Sequence, residues 1–482
     1  LRWQRRGQGF EPPKLHHINR KALFQGFFII SITLHTSILY TKTYTPAKNF
    51  SHSTGLGLEI REKIAIIIQV IIYIRKKRGS MMYCTRNITD SIVWVGGSDR
   101  RLALFENLFP IPRGVAYNAY LILDEKTCLM DTVDASIRQQ FIENVLAALD
   151  GRTLDYLVVN HMEPDHCANI EELALRFPDM KIVGNAKTIS FIQQFYDLDL
   201  SDRTITVTEK DTLSLGRHEL HFVFAPMVHW PEVMMSYEAS EKILFSADAF
   251  GSFGAHNRTL FDDEVELDSE WISDARRYYT NIVGKYGPQV QMALKKAAAL
   301  DIALIAPLHG IVWRSKMTEI LEKYQLWSTY TPEETGVLVL YGSMYGNTEN
   351  AANVLAAMLA DRGIHKIAVY DVSNTHVSQL IAESFRYSHI VLAAPTYNNE
   401  IYPAMYNYLH DLKSLNLQKR SFALIENGTW GPLSGKAMRE FLQGVKDMTI
   451  LEPSVTIRSA LKEESRAQLA VLADAIAASL HS

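Results

Sequence analysis

From Val93 onward the chain is written as short apolar runs separated by helical stretches. Ala119–Leu123, Leu157–Asn160, Lys181–Val183, Leu220–Ala225, Ile243–Ser246 and Ile302–Ala306 have the length and side chains of strands, whereas Ile137–Ala148 and Trp271–Val283 read as helices. Strands and helices mixed in this way must bury sheet faces against helices, which predicts a layered α/β architecture. Tyr330–Thr335, with Pro332 and two glutamates, reads as a linker. Beyond it the pattern is cleaner. Val337–Tyr341, Ile367–Tyr370, Ile390–Ala394 and Phe422–Ile425 are buried-strand runs, with helical segments such as Glu349–Asp361 and Pro403–Lys413 between them. That order predicts a doubly wound parallel sheet.

The 482 residues suffice for two cores. The three cysteines, Cys84, Cys128 and Cys167, form no CxxC pair. This excludes a rubredoxin-type iron site, a zinc ribbon and a disulfide framework, and it fits a reducing cytoplasm. Residues 1–80 hold 14 Lys/Arg against 3 Asp/Glu, and the remainder 35 against 50. An acidic body does not suit nucleic acid. In the basic segment, Ala22–Tyr40 is interrupted by polar residues, and Ile64–Ile74 is shorter than the roughly 20 residues a bilayer requires. Residues 1–81 therefore read as an extension upstream of a start at Met81 or Met82, in preference to a membrane-associating or targeting segment. A membrane role is expected only if residues 1–80 are genuine. The expected domains are 82–331 and 332–482.

The densest chemistry lies in His161-Met162-Glu163-Pro164-Asp165-His166, on the loop leaving the run Leu157–Val159. Four potential ligands stand within six residues, and Pro164 restricts the loop. His229, Asp248 and His309 each follow another strand-type run. Singly, each reads as an ordinary hydrogen-bonded residue. Together, strand ends at one sheet edge can bring them to one place. Seven ligands exceed the needs of one metal and suit two. One metal would take His161, Glu163 and His229, and the other Asp165, His166 and His309. Asp248, with two oxygens, could bridge them. Mixed imidazole and carboxylate donors leave iron, zinc and manganese open.

In the second half, Ser343-Met344-Tyr345-Gly346-Asn347-Thr348 follows a strand and opens a helix. Backbone N–H groups, hydroxyls and a helix N-terminus favour a phosphate there. Without a lysine or Walker spacing, a nucleoside triphosphate is not expected. Pro395-Thr396-Tyr397-Asn398 and Asn427-Gly428-Thr429-Trp430-Gly431 leave two further strands. Tyr397 and Trp430 could stack on a flat ring. A doubly wound sheet binds ligands at these strand ends.

The order HxExDH…H…D…H resembles the metallo-β-lactamase-like fold. Its hydrolases typically carry HxHxDH, and Glu163 in place of the second histidine resembles the flavodiiron proteins. Tyr117-Asn118-Ala119-Tyr120-Leu121, His229-Trp230-Pro231-Glu232, Asp248-Ala249-Phe250-Gly251-Ser252-Phe253-Gly254 and Pro307-Leu308-His309-Gly310 look like signatures of the same family. The three loops of the second half resemble a flavodoxin FMN site. The resemblance runs from about Ile92 to the C-terminus. It implies an αββα sandwich holding two non-haem irons at the seven residues named, followed by a flavodoxin-like domain holding FMN. The implied reaction is reduction of dioxygen to water, of nitric oxide to nitrous oxide, or both. A separate electron donor, a rubredoxin or an NAD(P)H-linked reductase, and a head-to-tail homodimer or a tetramer are implied with it. The competing readings are a di-zinc hydrolase with an appended flavodoxin domain, an electron carrier with a vestigial metal site, and a flavodoxin-like quinone reductase.

Overall fold

The computed structural model describes residues 83–257 and 259–481, so the reading of residues 1–80 lies outside it. Among the described residues, no helix is long and apolar enough to cross a membrane.

Two large sheets build the first half. One orders Arg86–Asn87, Ile92–Trp94, Tyr120–Leu123, Thr127–Met130, Tyr156–Val158, Lys181–Gly184 and Thr204–Thr206. The other orders Thr212–Ser214, Glu219–Phe224, Met234–Glu238, Ile243–Phe245 and Leu304–Ala306. Successive strand side chains face opposite ways, and the burial follows that period. Ile92, Ile122, Cys128 and Met130 meet Leu220, Phe222, Phe245 and Leu304 between the sheets. Their neighbours Val93, Leu121 and Leu129 join Phe141 and Val145 of helix Arg138–Leu149 on the outer face. Met235, Leu244 and Ile305 similarly join Val290 and Ala293 of helix Gly287–Ala297. The layers are helix, sheet, sheet, helix, as expected.

Strand direction places the candidate ligands. Thr127–Met130, Tyr156–Val158 and Lys181–Gly184 are mutually parallel, so their C-terminal ends share one edge. In the second sheet Ile243–Phe245 runs parallel to Leu304–Ala306. Glu219–Phe224 is antiparallel to Met234–Glu238, which is antiparallel to Ile243–Phe245. Two reversals restore direction, so the chain leaves toward His229, Asp248 and His309 on the same side.

The second half is a parallel sheet ordered Ile367–Asp371, Glu334–Tyr341, Tyr387–Tyr397, Arg420–Asn427 and Met448–Ile450. Val337, Val339 and Val391 face helices Asn347–Asp361 and Glu463–Leu480. Leu338, Leu340 and Leu392 face Met405 and Leu409 of helix Pro403–Ser414. The first strand lies between the second and third, which creates a switch point beside it.

The segment 330–335 differs from its reading as a linker. Tyr330 is buried, and its hydroxyl donates to the Gly284 carbonyl at 3.0 Å. The buried Glu333 carboxylate accepts from Arg276, from Lys323 Nζ at 2.7 Å and from Trp327 Nε1 at 2.6 Å. A glutamate met by three donors can be buried, so this stretch is a packed joint.

Candidate metal centre and flavin cleft

Pro164 takes the first position of a one-turn helix, Pro164–Cys167, where its missing N–H costs nothing. The turn carries Asp165 and His166 inward, while His161 and Glu163 precede it. All seven predicted ligands come together. His161, Glu163, His229 and Asp248 form one group and Asp165, His166 and His309 another, the donor atoms of each lying within 4.8 Å of one another.

Asp248 stands between them. Its Oδ2 lies 3.5 Å from His161 Nε2 and 3.2 Å from His229 Nε2. Its Oδ1 lies 3.1 Å from His166 Nε2 and 3.8 Å from His309 Nε2. Glu163 Oε2 closes the first group at 3.0 Å from His229 Nε2, and Asp165 Oδ2 the second at 3.3 Å from both His166 and His309.

Outer contacts fix the rings. His161 Nδ1 donates to Glu232 Oε1 at 2.8 Å, and His309 Nδ1 to the Ala116 carbonyl at 2.9 Å, which leaves both Nε2 lone pairs facing the centre. Buried Asp131 holds the loop itself. Its Oδ1 accepts from Asn160 N at 2.7 Å and His161 N at 3.2 Å. Trp230 packs edge-on to His161, and Phe105, Tyr117 and Tyr278 surround His309.

The electrostatics are those of a place for cations. Both Asp165 oxygens and Asp248 Oδ1 are buried without a hydrogen-bond donor, an arrangement that costs about 1–3 kcal/mol or more per group unless something positive meets it. Burial opposes charge on His229, but Asp248 and Glu163 outweigh it and push the imidazole up to about 9. Burial likewise opposes ionisation of Glu163 and Asp248, yet the neighbouring histidines hold both carboxyls well below their usual range. Imidazole and carboxylate donors in two groups, sharing one carboxylate, fit a pair of divalent or trivalent metals.

Two contributors escaped the sequence reading. Asp131 follows a strand end as the ligands do, so its position was a signal. Glu106 had none. It sits in a left-handed turn (φ 49°) between Leu104–Phe105 and Phe109–Pro110, and its carboxyl reaches Glu163. Partial loss of solvation and the charge of Glu163 push it up to about 8.

The flavin candidates line a cleft of about 400 Å³ at the switch point of the parallel sheet, a size typical of roughly 300–1,000 Å³ ligand sites. Ser343, Met344, Tyr345, Asn347, Thr348, Pro395, Thr396, Asn398, Asn427, Gly428, Thr429, Trp430 and Gly431 line it. Gly346 and Tyr397 do not. Gly346 has φ 85° at the mouth of helix Asn347–Asp361, and its N–H donates to Ser343 Oγ at 3.0 Å, which shapes the loop. Tyr397 turns edge-on to Tyr402, with ring centroids 6.4 Å apart. Asn399 and Ser459 line the cleft as well. Ser459, two residues past the strand Val455–Ile457, donates its N–H to Asn427 Oδ1 at 3.0 Å, which steadies that loop. Hydroxyls and a helix N-terminus at one end, with the exposed Trp430 ring among the lining residues, fit a phosphorylated flat ring.

Known proteins resemble this chain in sequence and fold. Residues 115–310 match the ODP family beta lactamase model, and residues 338–448 a flavodoxin domain. A nitric oxide reductase of Moorella thermoacetica is 32% identical over 374 residues, covering 77% of this chain and 92% of that one. The rubredoxin oxygen:oxidoreductase of Desulfovibrio gigas superposes with a TM-score of 0.77 at 30% identity, covering 82% of this chain and 98% of that one. The flavodiiron protein of Giardia intestinalis shares the fold, with a TM-score of 0.76 at 24% identity over 82% of this chain and 97% of that one.

Proposed function

The chain belongs to the flavodiiron protein family, oxidoreductases with FMN and a non-haem di-iron centre, and we propose that it reduces nitric oxide to nitrous oxide with electrons from a separate donor. Reduction of dioxygen to water is the second reading, favoured by the likeness to the rubredoxin oxygen:oxidoreductase. The observation that carries the proposal is Asp248, whose two oxygens face two separate ligand groups, with Glu163 where a hydrolase would carry histidine.

His161, Glu163 and His229 would hold one iron, Asp165, His166 and His309 the other, and Asp248 both. When bound, the pair stores two electrons and polarises substrate oxygen, while FMN passes electrons on one at a time or in pairs. The chain's part is placement. Glu232 and the Ala116 carbonyl hold His161 and His309 with Nε2 inward. Phe105, Tyr117 and Tyr278 keep water from the His309 side. Gly346 opens the helix N-terminus for the FMN phosphate, and Trp430 offers a face to the ring.

A rubredoxin or an NAD(P)H-linked reductase is the proposed donor, the first favoured by the likeness to the rubredoxin oxygen:oxidoreductase. A head-to-tail homodimer in the cytoplasm is part of the same reading. Trp430 and Tyr345, 91% and 92% exposed beside the cleft, are suited to an interface.

The test is metal and flavin analysis of the purified protein, followed by reductant-driven consumption of nitric oxide and of dioxygen. Iron, FMN and consumption of nitric oxide are expected. Zinc in place of iron, with hydrolase activity needing no reductant, would establish the di-zinc alternative instead.

A further inference from the structure

Two apolar spaces lie behind the strand ends that carry His229 and Asp248. The outer is a cleft of about 480 Å³ opening between helices Gly287–Ala297 and Met317–Ser328. The inner is a void of about 10 Å³. Phe250, Leu294 and Ala297 border both, so the two are adjacent. Val228 and Ala249 wall the inner void. Each is the chain neighbour of a candidate ligand, His229 and Asp248.

The inner void has room for roughly one water, but a buried water needs about 2–4 polar partners. This one presents no polar surface. Its only hydroxyl, on Tyr324, accepts the Phe250 N–H at 2.5 Å. Such a space stays dry and takes small apolar guests.

Phe250 lines both spaces and is held firmly. Its backbone is left-handed (φ 68°), unusual for a bulky residue. The Tyr324 hydroxyl fixes its N–H, and Trp313 Nε1 donates to its carbonyl at 3.1 Å. Its ring packs on Tyr324 with centroids 4.5 Å apart. A strained residue fixed from both sides, two positions after the shared carboxylate, makes a fixed wall beside the Leu294 and Ala297 border of the two spaces.

We propose that these spaces form a holding site and entry route for an apolar diatomic gas, supplying the metal centre from behind the Asp248 loop. The proposal rests on the functional reading above. It predicts that gas and electrons arrive by separate routes, so that narrowing this one leaves flavin reduction untouched.

The experiment uses the full chain with its cofactors and xenon as the probe. Xenon-pressurised crystals should show an atom beside Phe250 and Ala297. Ala297→Phe, which fills the border of the two spaces, should exclude xenon and raise KM for nitric oxide several-fold. Its kcat at saturating gas and its rate of flavin reduction should stay unchanged. Ala297→Val should give an intermediate xenon occupancy and KM, and it carries the test if the larger side chain prevents folding. Absence of xenon from the parent protein would overturn the site. Exclusion of xenon with an unchanged KM would overturn the supply role. A parent protein that binds xenon but consumes neither gas would overturn the functional reading, and the supply role with it, while the apolar site would stand.

Discussion

Replacing Glu333 by glutamine tests whether the joint between the two halves is a structural centre. Burial opposes ionisation of its carboxyl, but Arg276 and Lys323 outweigh that and hold it at about 2, against an ordinary 4.5. A difference of about 2.5 units at about 1.4 kcal/mol each gives about 3 kcal/mol of stability at neutral pH. A second route agrees in size. Arg276 is 6% exposed, and removing the partner of a buried charge costs about 3–5 kcal/mol. Glutamine keeps the volume and can still accept from Trp327, but it turns a donor toward two cations. The sign follows from proton uptake. Between the two pKa values the unfolded chain binds the proton more readily. The stabilisation is therefore complete above about 4.5 and is lost as pH falls toward about 2. Urea denaturation followed by tryptophan fluorescence should show Glu333→Gln about 3 kcal/mol less stable at pH 7, with the gap roughly halved near pH 3. A loss below about 1 kcal/mol at neutral pH, or the same gap at both, would refute the reasoning.

Glu232→Gln removes the charge that His161 Nδ1 donates to while keeping an oxygen there. Chelator competition should show metal affinity falling roughly 10–100-fold with FMN content unchanged, and an unaltered affinity would mean that Glu232 does not orient the ring. Trp430→Ala removes a side chain 91% exposed, so stability should stay within about 0.5 kcal/mol. Titration of the flavin-free protein should show FMN binding weakened roughly three- to tenfold, the size of one aromatic contact; an unchanged Kd would place the flavin ring elsewhere.

Much of the centre was legible because chain direction does the work. His229, Asp248 and His309 are scattered in sequence, yet each follows a strand, and parallel or doubly reversed strands deliver them to one edge. What stayed hidden depends on side-chain direction past the strand end. Asp131 occupies the same kind of position as the ligands, but its carboxylate turns back to backbone N–H groups. Tyr397 leaves a ligand-binding strand end but packs on Tyr402. Glu333 misled for the opposite reason. Proline and charged residues mark exposed loops only when no countercharge waits inside, and Arg276 lies far away in sequence. Glu106 depends on a left-handed turn that glutamate seldom adopts, so no composition rule points to it.

The exchange at position 163 gains a physical meaning from the geometry. With histidine there, the centre would carry two carboxylates, Asp165 and Asp248; with glutamate it carries three. The added charge is not dispersed into solvent. Glu163 Oε2 lies 3.0 Å from His229 Nε2 and 3.3 Å from His161 Nε2, within the group that shares Asp248. At about 4 Å and an effective dielectric of about 20, one unit charge interacts with another by about 4 kcal/mol. A third carboxylate therefore favours whichever metal state carries the greater positive charge. A hydrolytic metal keeps one charge throughout, so for it the extra carboxylate only weakens Lewis acidity. For a metal that alternates between two charges, the same residue shifts the balance toward the oxidised one, which is the state reached by giving electrons to a gas. Glu163 is thus more than a family marker, because its charge acts on the one property that separates redox from hydrolytic use of this fold.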